Sequence, residues 1–250
     1  MQNYFELIVD IGEKMLVSGA EVHRVEDSIE RMCTAVGFLR TDVFIITSCM
    51  YVTVYSDEGN YTQIRRIREM RADLEKLHRL NDLSREICNG HPSYEQVLAK
   101  FKEIKVLKHI PFWVEGLSYV LVAGGFTLFF GGNVVEAGVS ALLGFLLCNL
   151  VFLLGRAHMN KIFAKFVGSF FVALGAYGAM RLGLIGGMDK VIIGNIMLIV
   201  PGVVFTNGFR DLLVGDSIAG WLRLTEALLL TLAMAAGYFV FMFLVGGVAA

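Results

Sequence analysis

Apolar positions in the first hundred residues recur with two different periods. From Tyr4 to Val17 they fall at Phe5, Ile8, Val9, Ile11, Met15 and Leu16, close to the repeat of a helix with one buried face. Ser18-Gly19 interrupts that pattern. A second helix is predicted from Ala20 to Val36, with Val22, Val25, Ile29 and Met32 on one face and Gly37 where a helix stops. The period then shortens. Asp42 to Thr47 and Tyr51 to Tyr55 are rich in β-branched and aromatic residues, which predicts two strands. Asp57-Glu58-Gly59-Asn60 has the composition of a turn, and Tyr61 to Ile67 reads as a third strand. Helical spacing returns from Asp73 to Cys88 on Leu74, Leu77, Leu80, Leu83 and Ile87. Asn89-Gly90-His91-Pro92 ends it, and Ser93 caps a helix running from Tyr94 to Leu107.

Beyond residue 110 the alternation gives way to stretches that are apolar all round. Five are bounded by polar or Gly-rich connections: 113–130, 134–154, 162–180, 191–209 and 221–245. Their lengths suit helices crossing a hydrocarbon core about 30 Å thick. The fold expected is an α/β cytoplasmic N-terminal domain over residues 1–110, then an all-α bundle of about five transmembrane helices over 111–250.

Charge sharpens the division. Residues 1–110 hold 15 Lys/Arg and 17 Asp/Glu, whereas residues 111–250 hold only 7 and 6. The near-neutral total therefore averages a soluble composition and a membrane one. Lys100, Lys102, Lys105 and Lys108 precede the first apolar stretch, and Arg156, Lys161, Lys165, Arg210 and Arg223 fall at the connections that share its side. That bias puts the N-terminus in the cytoplasm and the C-terminus, after an odd number of spans, outside, in a bacterial-type inner membrane. A cytoplasm-only reporter active after Ala250 would contradict it. Met1 to Ile11 lacks the apolar core of a secretory signal. The four cysteines have neither paired nor metal-ligand spacing, and His78, His91 and His158 have no ligand partner nearby, so no metal or cofactor is expected. No basic stripe suggests nucleic acid.

The candidate chemistry lies in two stretches. Within 191–209 and just after it runs Pro201-Gly202, then Thr206-Asn207 and Arg210-Asp211. A Pro-Gly pair frees backbone carbonyls, which at membrane depth line a cavity or are covered by another helix. A packing kink ending at a charged membrane boundary is the plainer reading. Glu226 follows Arg223 by three residues, so the two can pair on one helix face, either as an interfacial ion pair or as an intramembrane functional acid. Glu136, Asn149 and Asn195 are further polar groups in apolar surroundings, and the Gly-rich positions allow helices to approach closely. In the N-terminal domain, Glu21, His23, Arg24 and Glu26 form a polar cluster with i,i+3 pairs Glu21–Arg24 and His23–Glu26. No nucleophile stands beside them, which favours a structural or regulatory role over catalysis.

Ser18-Gly19-Ala20-Glu21 with Arg24-Val25-Glu26 resembles the start of the N-terminal domain of threonine/serine exporter (ThrE-type) proteins. Pro201-Gly202, Thr206-Asn207, Arg210-Asp211 and Gly215-Asp216 resemble that family's signature in its later spans. The resemblance covers essentially the whole chain. Full-length members carry about ten spans, so it implies the split form, similar to the YjjP–YjjB arrangement, in which a small YjjB-like membrane protein supplies the remaining helices. It further implies export of a small polar metabolite, threonine/serine or a dicarboxylate such as succinate, driven by an ion gradient. The chain carries no nucleotide-binding loop of the Walker type. On this reading Pro201, Gly202, Thr206, Asn207, Arg210 and Arg223 are substrate-binding candidates, and Asp211, Asp216 and Glu226 are proton-coupling candidates. The lipid bilayer, a small-molecule substrate and a homo-oligomer complete the expected partners. The alternatives are a membrane-anchored enzyme and a ligand-sensing regulatory subunit, each using the N-terminal domain.

Overall fold

The computed structural model describes residues 1–248 except Glu58, Glu69, Lys108 and His109; for Gly247 and Val248 it describes the backbone alone. Glu58 of the expected turn, Lys108 of the basic cluster and the Ala250 terminus lie outside these residues. The chain divides into two compact units. One comprises Met1–Lys108 with Val204–Leu224, the other His109–Val203 with Thr225–Ala250.

In the first unit, α1 (Gln2–Val17) and α2 (Val22–Val36) form as the spacing predicts, and Phe5, Ile8, Ile11, Met15, Val25, Ile29 and Met32 are fully buried. Gly12 permits their close approach, because a Cβ there would stand 2.5 Å from Cδ1 of Ile29. α2 ends at Gly37, whose φ of 101° lies in the left-handed region that glycine enters without steric cost. Strands β1 (Arg40–Ile46), β2 (Cys49–Ser56) and β3 (Gly59–Arg66) then pair antiparallel in the order β1-β2-β3.

Connections of two residues can join only antiparallel neighbours. The strands are therefore a consecutive meander, flanked in the chain by two helices on either side as the sequence pattern predicts. On the inner face Met50, Val52 and Val54 of β2 are fully buried. Arg65 of β3 reaches α1 from the same face, with Nη2 3.1 Å from Asp10. α3 (Leu74–Gly90) is capped by Asp73, and α4 (Tyr94–Lys105) starts in a reciprocal Ser93–Gln96 capping box. Both bury apolar stripes: Leu80, Leu83 and Ile87, then Val97 and Phe101.

The second unit contains α5 (Phe112–Phe129), α6 (Val134–Arg156), α7 (Lys161–Arg181), α8 (Asp189–Ile196) and most of α10 (Ser217–Val248). Its core includes Leu143, Leu147, Val172, Ala173, Ala176, Ile199, Met234 and Phe241. Large apolar side chains such as Phe129, Leu142 and Phe239 point outward. Among the described residues four helices, α5, α6, α7 and α10, are long and apolar enough to cross a membrane.

The stretch 191–209, expected as one span interrupted at Pro201-Gly202, forms parts of two separate helices. α8 ends at Ile196, and α9 (Gly202–Val214) begins after Pro201. Pro201 donates no N–H and crowds the carbonyl four residues earlier, at Met197, while Val200 is pushed out of helical backbone by the ring that follows it. Each piece is shorter than a span.

Candidate functional site

The two sequence motifs meet inside the first unit. Between α1 and α2 the chain turns through Ser18-Gly19-Ala20-Glu21, with Gly19 at φ 100° and Glu21 extended ahead of α2. This turn exposes backbone groups that helices α9 and α10 use. Asn207 Nδ2 donates to the Gly19 carbonyl at 3.0 Å. Arg223 Nη2 donates to the Ala20 carbonyl at 2.8 Å. The Val22 N–H, at the start of α2, donates to Asp211 Oδ1 at 3.3 Å. A carboxylate at that position meets the positive end of the helix dipole. Arg210 pairs with Glu21 at the exposed rim.

At the centre, Arg223 Nε lies 3.3 Å from Asp211 Oδ2, and both side chains are buried. Burial raises the Asp211 pKa, with the Arg223 guanidinium opposing that shift. Small residues make the geometry possible. A Cβ on Gly220 would stand 2.9 Å from the Gly208 carbonyl, so α9 and α10 cross in near-contact there. Gly215, at φ 109°, reverses the chain between them, and the Asp216 N–H returns to the Asp211 carbonyl at 2.9 Å.

That reversal places Asp216 beside α2. One ligand-type atom from each of His23, Glu26 and Asp216 lies within 4.8 Å of the others. Glu26 also accepts the Ile45 N–H at 2.8 Å. Its pKa is pushed up to about 7, chiefly by burial, with the Ile45 N–H pulling the other way.

Asn207, Arg210, Asp211 and Arg223 therefore gather on Gly19, Ala20, Glu21 and Val22. His23, Glu26 and Asp216 gather next to them. Arg24, Gly202, Thr206 and Glu226 are exposed, and Pro201 is buried. Of the i,i+3 expectations, His23 and Glu26 do come together, while Glu21 and Arg223 take partners further along the chain. Glu21 engages Arg210, and Arg223 turns its guanidinium to Asp211 and Ala20.

The second unit holds polar groups of its own. Thr127, Ser140 and Asn195 are fully buried and joined: Thr127 Oγ1 is 2.7 Å from Ser140 Oγ, which lies 2.8 Å from Asn195 Nδ2. Lys165 Nζ donates to the Ile199 carbonyl at 2.6 Å, beside the Pro201 break, so another helix covers a backbone acceptor there. Glu136 closes a reciprocal capping box with Asn133 at the start of α6. Asn195 was legible as a mid-membrane amide. Thr127 and Ser140 were not singled out, although each is a hydroxyl inside an apolar run. Asn149 is half-buried and donates to the Phe145 carbonyl one turn back at 2.8 Å.

The family model described as "Putative threonine/serine exporter" (ThrE) matches residues 6–245. The chain belongs to the ThrE family. Among curated relatives, it is 21% identical to the threonine/serine exporter of Corynebacterium glutamicum over 92% of this chain and 49% of the relative. It is 24% identical to pheromone-regulated membrane protein 10 of Eremothecium gossypii over 92% of this chain and 32% of the relative. The corresponding Kluyveromyces lactis protein is 22% identical over 92% of this chain and 25% of the relative. The chain thus spans between a quarter and a half of the length of these relatives. No solved structure matches it. Family membership and the four long apolar helices make this a membrane protein. Of the motif residues that pointed to the family, Gly19, Ala20, Asn207 and Asp211 meet around the Asp211–Arg223 pair, with Glu21 and Arg210 at its rim.

Proposed function

We propose that this chain forms part of a secondary exporter that moves small polar metabolites out of the cell: threonine or serine, or a dicarboxylate such as succinate. An ion gradient drives the movement, and the N-terminal unit faces the cytoplasm. Additional spans come from residues beyond these 250, as in a YjjB-like membrane partner; the Corynebacterium relative, named an exporter of threonine and serine, is about twice as long as the matched region.

The observation that carries this reading is the buried Asp211–Arg223 pair, held by backbone groups of the Gly19–Val22 turn. An amino acid presents a carboxylate and an ammonium. Guanidinium and carboxylate groups side by side, buried at Arg223–Asp211 and accessible at Arg210–Glu21, are complementary to both. Dicarboxylates would use the two arginines. A buried acid with a raised pKa, as at Asp211, suits proton coupling. Asp216 and Glu226 remain candidates for the same role.

The test is efflux from cells loaded with labelled threonine, serine or succinate and expressing this chain with its partner. The expected result is efflux of one of these classes that collapses with the ion gradient and falls at least tenfold in Asp211→Asn and Arg223→Ala variants of normal abundance. Efflux equal to that of cells lacking the chain, or unchanged in both variants, would overturn the reading.

A further inference from the structure

We propose that His23, Glu26 and Asp216 form a binding site for a divalent first-row cation of the Zn²⁺ or Mn²⁺ class, which ties the first turn of α2 to the α9–α10 reversal. The inference does not depend on the transported substrate. His23 and Glu26 are three residues apart on α2 and so share a face. Asp216 is brought to that face from far along the chain by a reversal fixed at Gly215 and by its own N–H bond to Asp211.

The three ligand-type atoms already lie within 4.8 Å of one another. Bonds of about 2.1 Å in a tetrahedral site place ligand atoms roughly 3.4 Å apart, so small rotations of three side chains close the site around an ion. The donor set is one imidazole nitrogen and two carboxylates. It has no sulfur, which disfavours soft ions, and its nitrogen disfavours a purely oxygen-seeking ion such as Mg²⁺. Two carboxylates and a neutral imidazole match a double positive charge.

Two observations favour a ligand here: an acceptor atom with no hydrogen bond among the described residues, and a carboxylate already held in place. Asp216 Oδ2 is closed to solvent and has no hydrogen-bond partner among the described residues. Such an acceptor is costly unless a cation or a proton meets it. Glu26 is already oriented by the Ile45 N–H on Oε1, the kind of outer hydrogen bond that steadies a metal ligand. His23 is exposed, which leaves an entry path and room for water in the remaining coordination positions. By contrast, the exposed His78–Asp82 pair, 3.4 Å apart on α3, offers two ligands only and serves as the control.

The test uses the full chain, purified in detergent and stripped with a chelator. ZnCl₂ and MnCl₂ are titrated separately by calorimetry, and Mn²⁺ is also followed by electron paramagnetic resonance. The expected result is one saturable site per chain for at least one of the two ions. Affinity should fall roughly 10–100-fold or more in His23→Ala and in Asp216→Asn, and stay unchanged in His78→Ala. The bound ion should raise the melting temperature of the wild-type chain and leave that of His23→Ala where it was. Because His23 is exposed, His23→Ala should melt like the metal-free wild type, which separates lost binding from lost folding. No saturable binding of either ion, binding unaffected by either substitution, or binding lost in His78→Ala would overturn the proposal.

Discussion

Asp211 and Arg223 lie with Oδ2 and Nε 3.3 Å apart, and their side chains are 1% and 3% exposed. Neither charge can be rehydrated in place if its partner is removed. Asp211→Ala leaves a buried guanidinium, and loss of one member of a buried pair costs about 3–5 kcal/mol. Replacing both, as Asp211→Leu with Arg223→Met, removes both desolvation costs and should destabilise less than either single change. Melting temperatures of the four proteins in detergent check this. Single variants that melt like the wild type would show that the pair is hydrated in solution.

What the sequence made legible was whatever depended on near neighbours. The α1 and α2 stripes, the Ser93 cap and the break at Pro201 are local, and each appears in the structure. The partners of Glu21, Arg210, Asp211 and Arg223 were not local. Arg223 reaches Asp211 on α9 and the Ala20 carbonyl, neither of them a neighbour on its own helix. No periodicity encodes the reversal at Gly215 that allows this. The same reversal brings Asp216 to His23, so ligand spacing within any single segment could not reveal that cluster. In the second unit, the link from Thr127 through Ser140 to Asn195 was hidden because isolated hydroxyls in apolar helices usually bond to their own backbone.

At Gly144, α6 packs against the backbone of α5. A Cβ there would stand 2.8 Å from Ala123 Cβ and 2.9 Å from the Tyr119 carbonyl, and a backbone carbonyl cannot rotate away. Gly144→Val should force the two helices apart and cost about 1–3 kcal/mol or more, as overpacking does. Gly178, inside α7, has open space where its Cβ would be. Gly178→Ala should therefore be neutral or stabilise by about 0.5–1 kcal/mol through the backbone entropy of the unfolded chain. Thermal melts of the two variants should move in opposite directions, or only the Gly144 variant should move.

Lys165 supplies the donor for the Ile199 carbonyl at the break in the helical path, and Ile199 itself is buried. Lys165→Met keeps the length and the apolar stem but removes that donor. A buried acceptor left without a partner costs about 1–3 kcal/mol. The variant should melt lower, and amide hydrogen exchange should rise around residues 197–201 before it rises elsewhere. Unchanged exchange there would mean that water satisfies the Ile199 carbonyl.

Cys33 is fully buried on α2, and burial pushes its thiol up to about 12. Alkylation requires the thiolate. At pH 8 a group titrating near 12 is ionised to only about one part in ten thousand, against roughly a quarter for an ordinary thiol near 8.5. Between pH 7 and 9, Cys49, which is partly exposed, should be labelled in the folded protein and Cys33 left almost unmodified. Only unfolding should release Cys33, so its labelling rate reports opening of the N-terminal unit. Peptide mass spectrometry after maleimide treatment at each pH, with and without denaturant, reads all four cysteines at once. Rapid native labelling of Cys33 at pH 7 would show that α2 separates from the core far more readily than its packing against α1 implies.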